Sequence, residues 1–208
     1  VAKVQKYSNV HVIGHLEGLC HIYLDKESNL NNAIKIILNA KMRRTSICGA
    51  TETILCHKEA ARDILPKLLD KLVKNNCLVK GNSKLKELNP KVVLAKKEDW
   101  ATEYLDAIVS IKIVGSIEEA INHINLYSSG HTDAIITESS SAAKKFLESV
   151  NSAIVMHNTS TQFADGGEFG LGAEIGISTG KLHARGPVSA TELTTYKYIV
   201  QGKGQLRK

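Results

Sequence analysis

The chain has 208 residues, 43% of them hydrophobic and 23% charged, an ordinary globular composition rather than a disordered one. Formal charge is +6 and aromatics make up only 5%. The lysines are scattered over helical segments, so nucleic acid is not expected as a partner, whereas an anionic small molecule suits the charge. No apolar run approaches the ~20 residues of a membrane span, and Val1 to Val10 lack the apolar core of a secretory signal. Four cysteines, Cys20, Cys48, Cys56 and Cys77, form no C-x-x-C pair. Free thiols and a cytoplasmic location are expected.

In chain order, Val10 to Ile13 and His21 to Leu24 read as short strands. Leu30, Ala33, Ile34, Ile37 and Leu38 recur at helical spacing, with Ser28 or Asn29 placed as cap. Thr53 to Cys56 reads as a strand, and Ile64, Leu65, Leu68, Leu69, Leu72 and Val73 as a second amphipathic helix. Strands follow at Val92 to Ala95 and Ile111 to Val114. Ser116-x-x-Glu119 is a capping box opening a helix through Ile124. Ala134 to Thr137 is a strand, Ala142 to Val150 a helix, and Ala153 to Met156 a strand. This alternation predicts an α/β fold with a largely parallel sheet flanked by helices. Residues 158–180 are rich in Gly, Ser and Thr and read as a long loop. Leu193 to Val200 then reads as a lone β-rich strand that needs a partner, such as another subunit.

Cys48 is the first candidate for chemistry. It follows Lys41, Arg43 and Arg44, and nearby cations lower a thiol pKa. The plainer alternative is a buried, inert thiol. Cys56 and Cys77 read as structural. His11 and His15 lie on a strand and the turn after it, where they need not face one point, so no metal site is expected. His157 and His183 read as hydrogen-bonded structural residues. The run Asp165 to Glu174 holds four glycines, and its backbone N–H groups are expected near an anion or the cysteine. It matches no phosphate-binding loop pattern.

Longer stretches carry more. EGLCHIYLD, TETILCHKE after Cys48, HTDAIIT, FADGGEFGLGAEIGISTGKLHARGP and LTTYKYI together resemble the gamma-glutamyl phosphate reductases. These enzymes are similar in fold to aldehyde dehydrogenases. The likeness runs through the whole chain and implies the half that bears the cysteine. It implies residues 1–20 as the tail of the cofactor-binding domain, 21–185 as the catalytic domain and 186–208 as an oligomerisation arm. It makes Cys48 the nucleophile that attacks glutamyl 5-phosphate, and Glu103 a contact to the NADPH nicotinamide ribose. Arg44, Asn158, Ser160 and Thr161 become substrate residues. Loops beyond strand carboxyl ends, where Asn158 lies, are where open α/β sheets place ligands.

The resemblance also implies NADPH as cofactor, a homo-oligomer, and an N-terminal half that is either cut away from this chain or separately encoded as its partner. It implies little activity or NADPH binding for this chain alone. Three positions depart from the family pattern: Thr45 stands for Pro, Gly49 for Asn and Gln162 for Arg. The alternative is therefore a non-catalytic remnant that only oligomerises or binds a partner.

Overall fold

A computed structural model describes residues 1–207. Seven strands form one sheet: β1 (Cys20–Leu24), β2 (Thr51–His57), β3 (Leu78–Gly81), β4 (Val93–Leu94), β5 (Ile108–Val114), β6 (Thr132–Ile136) and β7 (Ile154–His157). The spatial order is β4-β3-β5-β2-β1-β6-β7, and every pairing is parallel. The α/β expectation is met.

Helices α1 (Ala2–Tyr7), α2 (Leu30–Met42), α3 (Lys58–Lys74), α4 (Ser83–Leu88), α5 (Ile117–Tyr127) and α6 (Ser140–Ser149) complete the main fold. Ile22, Leu24, Ile54 and Cys56 pack with Ala33, Ile37, Ile64, Leu65 and Leu68 of α2 and α3. The alternate residues Tyr23 and Leu55 pack with Ala120, Ile121, Ile124 and Phe146 of α5 and α6. Both sheet faces are thus covered, which is why β1 and β2 read as continuous apolar runs. Each fully buried large side chain contributes about 1.5–3 kcal/mol.

Local signals set the helix starts. Asn29 Oδ1 accepts from Asn32 N at 3.1 Å, and Ser116 Oγ accepts from Glu119 N at 3.3 Å. Glu119 reaches back to Gly115 N at 2.7 Å rather than to Ser116 N, so this box closes one residue early. Pro66 lies inside α3, where packing of Ile64, Leu65, Leu68, Leu69 and Leu72 outweighs the lost hydrogen bond.

Three sequence expectations change. Val10 to Ile13 is not a strand; it has no ladder partner and Val10 is exposed. β3, unforeseen because it is short and half-polar, pairs with both β4 and β5. Leu193 to Val200 forms no strand within the chain, and Tyr196, Tyr198, Ile199 and Val200 are exposed. A strand exists only as part of a ladder, and no edge of this sheet meets the tail. A hairpin of β8 (Gly176–Ser178) and β9 (Gly186–Val188) straddles the boundary expected at 185/186. Among the described residues, no helix is long and apolar enough to cross a membrane.

Candidate active site

All seven strands point one way, so their amino ends share one edge of the sheet. Gly18 lies just before β1, Cys48 before β2, Glu103 before β5 and His131 before β6. The topology therefore gathers residues far apart in sequence along that amino edge. Asn158 follows β7 and belongs to the opposite edge. Its Oδ1 accepts from Thr137 N and its Nδ2 donates to Thr137 O, each at 2.9 Å. The Cys48 thiol sits at the other edge, where the segment after Asn158 returns to it through Thr161, packed against Gly49.

The turn carrying Cys48 is closed by Ala50 N donating to Ile47 O at 2.9 Å. It rests on Gly18, where any Cβ would lie 2.2 Å from Cys48 O and 2.5 Å from Cys48 Cα. Only a glycine permits that approach. Gly18 N donates to Glu103 Oε1 at 2.8 Å, so Glu103 braces the cysteine turn through one glycine. Gly49 packs closely: a Cβ there would stand 3.3 Å from Thr161 O, so the neighbouring segment would have to give by a few tenths of an ångström.

The expected cations are engaged elsewhere. Lys41 is fully buried and donates to Glu52 Oε2 at 2.6 Å. Arg43 Nε donates to Gln162 Oε1 at 3.1 Å. The Cys48 thiol is instead pushed up, first by burial, then by the negative field of Glu174 and Glu103, while the N–H groups of Cys48 and Gly49 oppose the shift. A depressed thiol pKa is therefore corrected to a raised one. Burial pushes Cys56 up to about 12 and Cys77 up to about 11. Cys48 is the only half-buried cysteine of the four. Alkylation followed by mass spectrometry across pH should label Cys48 fastest, with an apparent pKa above the ~8.5 of a free thiol. A value below that would mean a cation reaches its sulfur.

Gln162 holds the neighbouring segment. Its Nε2 donates to Ala40 O at 2.9 Å and to Arg44 O at 3.0 Å, tying the end of α2 to a 3₁₀ turn at Thr161–Phe163. Gln162→Ala leaves two carbonyls unpaired and should cost about 1–3 kcal/mol, measured by urea unfolding. No loss of stability would mean that water replaces the amide. Thr161 Oγ1 meets Thr51 Oγ1 at 2.9 Å, fully buried. Ser160 Oγ accepts from Gln162 N at 3.3 Å and lines a cleft of about 430 Å³ with Arg43, Thr159 and Gln162. Of the expected substrate residues, Asn158 and Thr161 thus use their side chains inside the chain. Arg44, exposed, and Ser160 face outward.

The glycine-rich loop turns inward on itself. Glu174 Oε2 accepts from Gly166 N, and Asp165 Oδ1 from Gly167 N, both at 2.8 Å. Asp165 Oδ1 also accepts from Glu168 N at 3.2 Å. Those N–H groups are satisfied by carboxylates rather than offered to an anion, a correction with a simple cause: the loop carries its own acceptors. His157 Nε2 and His183 Nε2 bond backbone oxygens at 2.8 and 2.7 Å, as their structural reading requires.

Sequence reasoning set His15 aside and missed His131, which flank Cys48; one ligand-type atom from each of the three lies within 4.8 Å of the others. Burial, then His15, hold the His131 imidazole down to about 4, so it is neutral at pH 7. No sequence spacing links residues 15, 48 and 131; only the parallel register does.

No family model matches the chain. It is 55% identical over 207 residues, 100% of its length, to the gamma-glutamyl phosphate reductase of Rhodospirillum rubrum, covering 48% of that protein. The crystal structure of gamma-glutamyl phosphate reductase from Thermotoga maritima superposes with a TM-score of 0.94 at 46% identity, over 100% of this chain and 50% of that one. An acetylating aldehyde dehydrogenase from Geobacillus thermoglucosidasius shares the fold, with a TM-score of 0.75 at 17% identity over 99% of this chain and 55% of that one. The chain spans about half the length of the curated relatives it matches. With the motifs around Cys48 and through HARGP embedded in this end-to-end likeness, the chain matches one half of the gamma-glutamyl phosphate reductases.

Proposed function

We propose that this chain forms the acyl-accepting part of a reductase that converts glutamyl 5-phosphate to glutamate 5-semialdehyde. The observation that carries this reading is the geometry of Cys48, half-buried at the amino edge of the sheet on a turn seated against Gly18. The Cys48 sulfur attacks the acyl carbon. A C–S bond forms, the C–O bond to phosphate breaks, phosphate leaves with the electron pair, and solvent takes the thiol proton. The result is a thioester on Cys48. Negative charge builds on the carbonyl oxygen during attack, and the backbone N–H groups of Cys48 and Gly49, which already favour charge at the sulfur, supply stabilisation.

NADPH, when bound, supplies the hydride that reduces the acyl carbon. Glu103 fits one ribose hydroxyl: Oε1 is taken by Gly18 N, and among the described residues Oε2 makes no hydrogen bond. Arg44 is the exposed cation available to an anionic substrate group, and Ser160 the outward hydroxyl. Residues 21–185 are the catalytic unit in this reading. The exposed apolar tail, with Tyr196, Tyr198 and Ile199, pairs with a second copy and makes a homo-oligomer. The remaining part of the cofactor site belongs to the other half of the protein, and the chain works in the cytoplasm.

Two observations favour the rival, a non-catalytic remnant: the raised Cys48 thiol and the absence of a cation at Gln162. Acylation needs no cofactor and separates the readings. The chain is mixed with glutamyl 5-phosphate generated in place from glutamate and ATP by a kinase. Intact-mass and peptide spectrometry should find one glutamyl group on Cys48, with one phosphate released per chain. Cys48→Ser should abolish the adduct. An unmodified Cys48, or acylation spread over other residues, would establish the remnant reading.

A further inference from the structure

We propose that His15, Cys48 and His131 form a binding site for a zinc ion. The site is independent of the acylation reading, because it needs only the three side chains in place. One ligand-type atom from each residue lies within 4.8 Å of the other two. The rings of His15 and His131 meet edge to face at 4.8 Å.

The free ring nitrogens decide the chemistry. His15 Nδ1 lies 2.6 Å from Ile177 O. A carbonyl can only accept, so Nδ1 carries the proton and Nε2 keeps its lone pair. Backbone carbonyls orient metal-bound histidines in this manner. His131 Nδ1 is occupied by Thr132 Oγ1 at 2.9 Å and Cys20 Sγ at 3.6 Å. Its Nε2 is fully buried and has no partner among the described residues, although a buried polar nitrogen left unpaired costs about 1–3 kcal/mol. A cation bridging it to Cys48 removes that cost.

Charge points the same way. Glu174 and Glu103 put a negative field on the Cys48 sulfur, which opposes a bare thiolate but attracts a divalent cation. Two imidazoles and one thiolate are a donor set that suits zinc. Tetrahedral zinc with bonds of about 2.0–2.3 Å needs ligand atoms about 3.3–3.7 Å apart, so the half-buried His15 and Cys48 side chains close by about an ångström. Water takes the fourth position on the open side. Binding displaces the Cys48 proton into solvent, and the sulfur is then masked from electrophiles.

The test uses the reduced, chelator-treated chain. Titration with zinc chloride should show one site per chain and release of a proton. Cobalt(II) in its place should give a thiolate-to-metal charge-transfer band and a tetrahedral visible spectrum. Saturating zinc should slow Cys48 alkylation at least tenfold and leave Cys77 unchanged. Cys48→Ser should remove the charge-transfer band. His15→Gln, at a half-exposed position outside the core, should weaken zinc by more than the ~10–100-fold that loss of an outer-shell partner costs. Circular dichroism confirms that both variants fold. Zinc affinity unchanged in either variant, a cobalt complex lacking the charge-transfer band, or unslowed Cys48 alkylation would overturn the site. Failure here leaves the acylation test untouched, since that test is run without zinc.

Discussion

Lys41→Ala is expected to destabilise the chain by about 3–5 kcal/mol, the cost of orphaning one member of a buried ion pair. Lys41 and Glu52 are fully buried and meet at 2.6 Å, linking the end of α2 to β2. Glu52 also accepts from Leu105 N at 3.4 Å, so the pair joins the cysteine-bearing connection to the segment after Glu103. At roughly 2–4 °C per kcal/mol for a chain of this size, melting should fall by roughly 6–20 °C. The double variant Lys41→Met, Glu52→Gln removes both charges and should regain more than half of the loss. Equal losses in the single and double variants would show that the orphaned Glu52 charge is not what costs the stability.

The effect has a definite pH dependence. Burial pushes the Glu52 carboxyl up to about 7, against the pull of Lys41. A carboxyl raised above its unfolded value of about 4.3 contributes stability that is present below that value and is lost as pH rises through about 7. Removing Lys41 raises the folded value further, so the loss continues into alkaline solution. The stability gap between wild type and Lys41→Ala should therefore widen between about pH 6 and about pH 9. Urea unfolding at several pH values measures it, and a gap that narrows would contradict the assignment of charge to Glu52.

Gly18→Ala carries the second large effect, and it acts on the site itself. The added methyl would meet Cys48 O at 2.2 Å, Cys48 Cα at 2.5 Å and Cys48 C at 2.7 Å. All three are backbone atoms, so no side chain can swing aside. Either Gly18 leaves Glu103 or the Cys48 turn lifts from its seat. The cost should reach or pass the upper end of the about 1–3 kcal/mol typical of overpacking. Burial is the first cause of the raised Cys48 thiol, so a lifted turn should alkylate severalfold faster at neutral pH. Gly14→Ala is the control: nothing lies within 4 Å of its added methyl, and the change should stay within about ±0.5 kcal/mol. Unchanged melting and unchanged labelling in Gly18→Ala would mean that the two turns are not in contact in solution.

Local chemistry by itself determined most of the framework. The apolar spacing from Leu30 to Leu38, the Asn29 and Ser116 caps and the apolar runs of β1 and β2 each announce their element, because helix and strand periods act over neighbouring residues. Cys48 stood out for its family motif, since one thiol among four has no distinguishing spacing. What only the tertiary structure decided is everything that depends on the order of strands. The parallel sheet aligned Gly18, Cys48, Glu103 and His131 on one edge and sent Asn158 to the other. It gave Lys41 to Glu52 and Arg43 to Gln162, so the cations preceding Cys48 in sequence do not serve its sulfur. Burial and two carboxylates then reversed the expected direction of its titration. The tail from Leu193 stayed unpaired for the same reason: β-propensity belongs to a segment, but a strand belongs to the partner it finds.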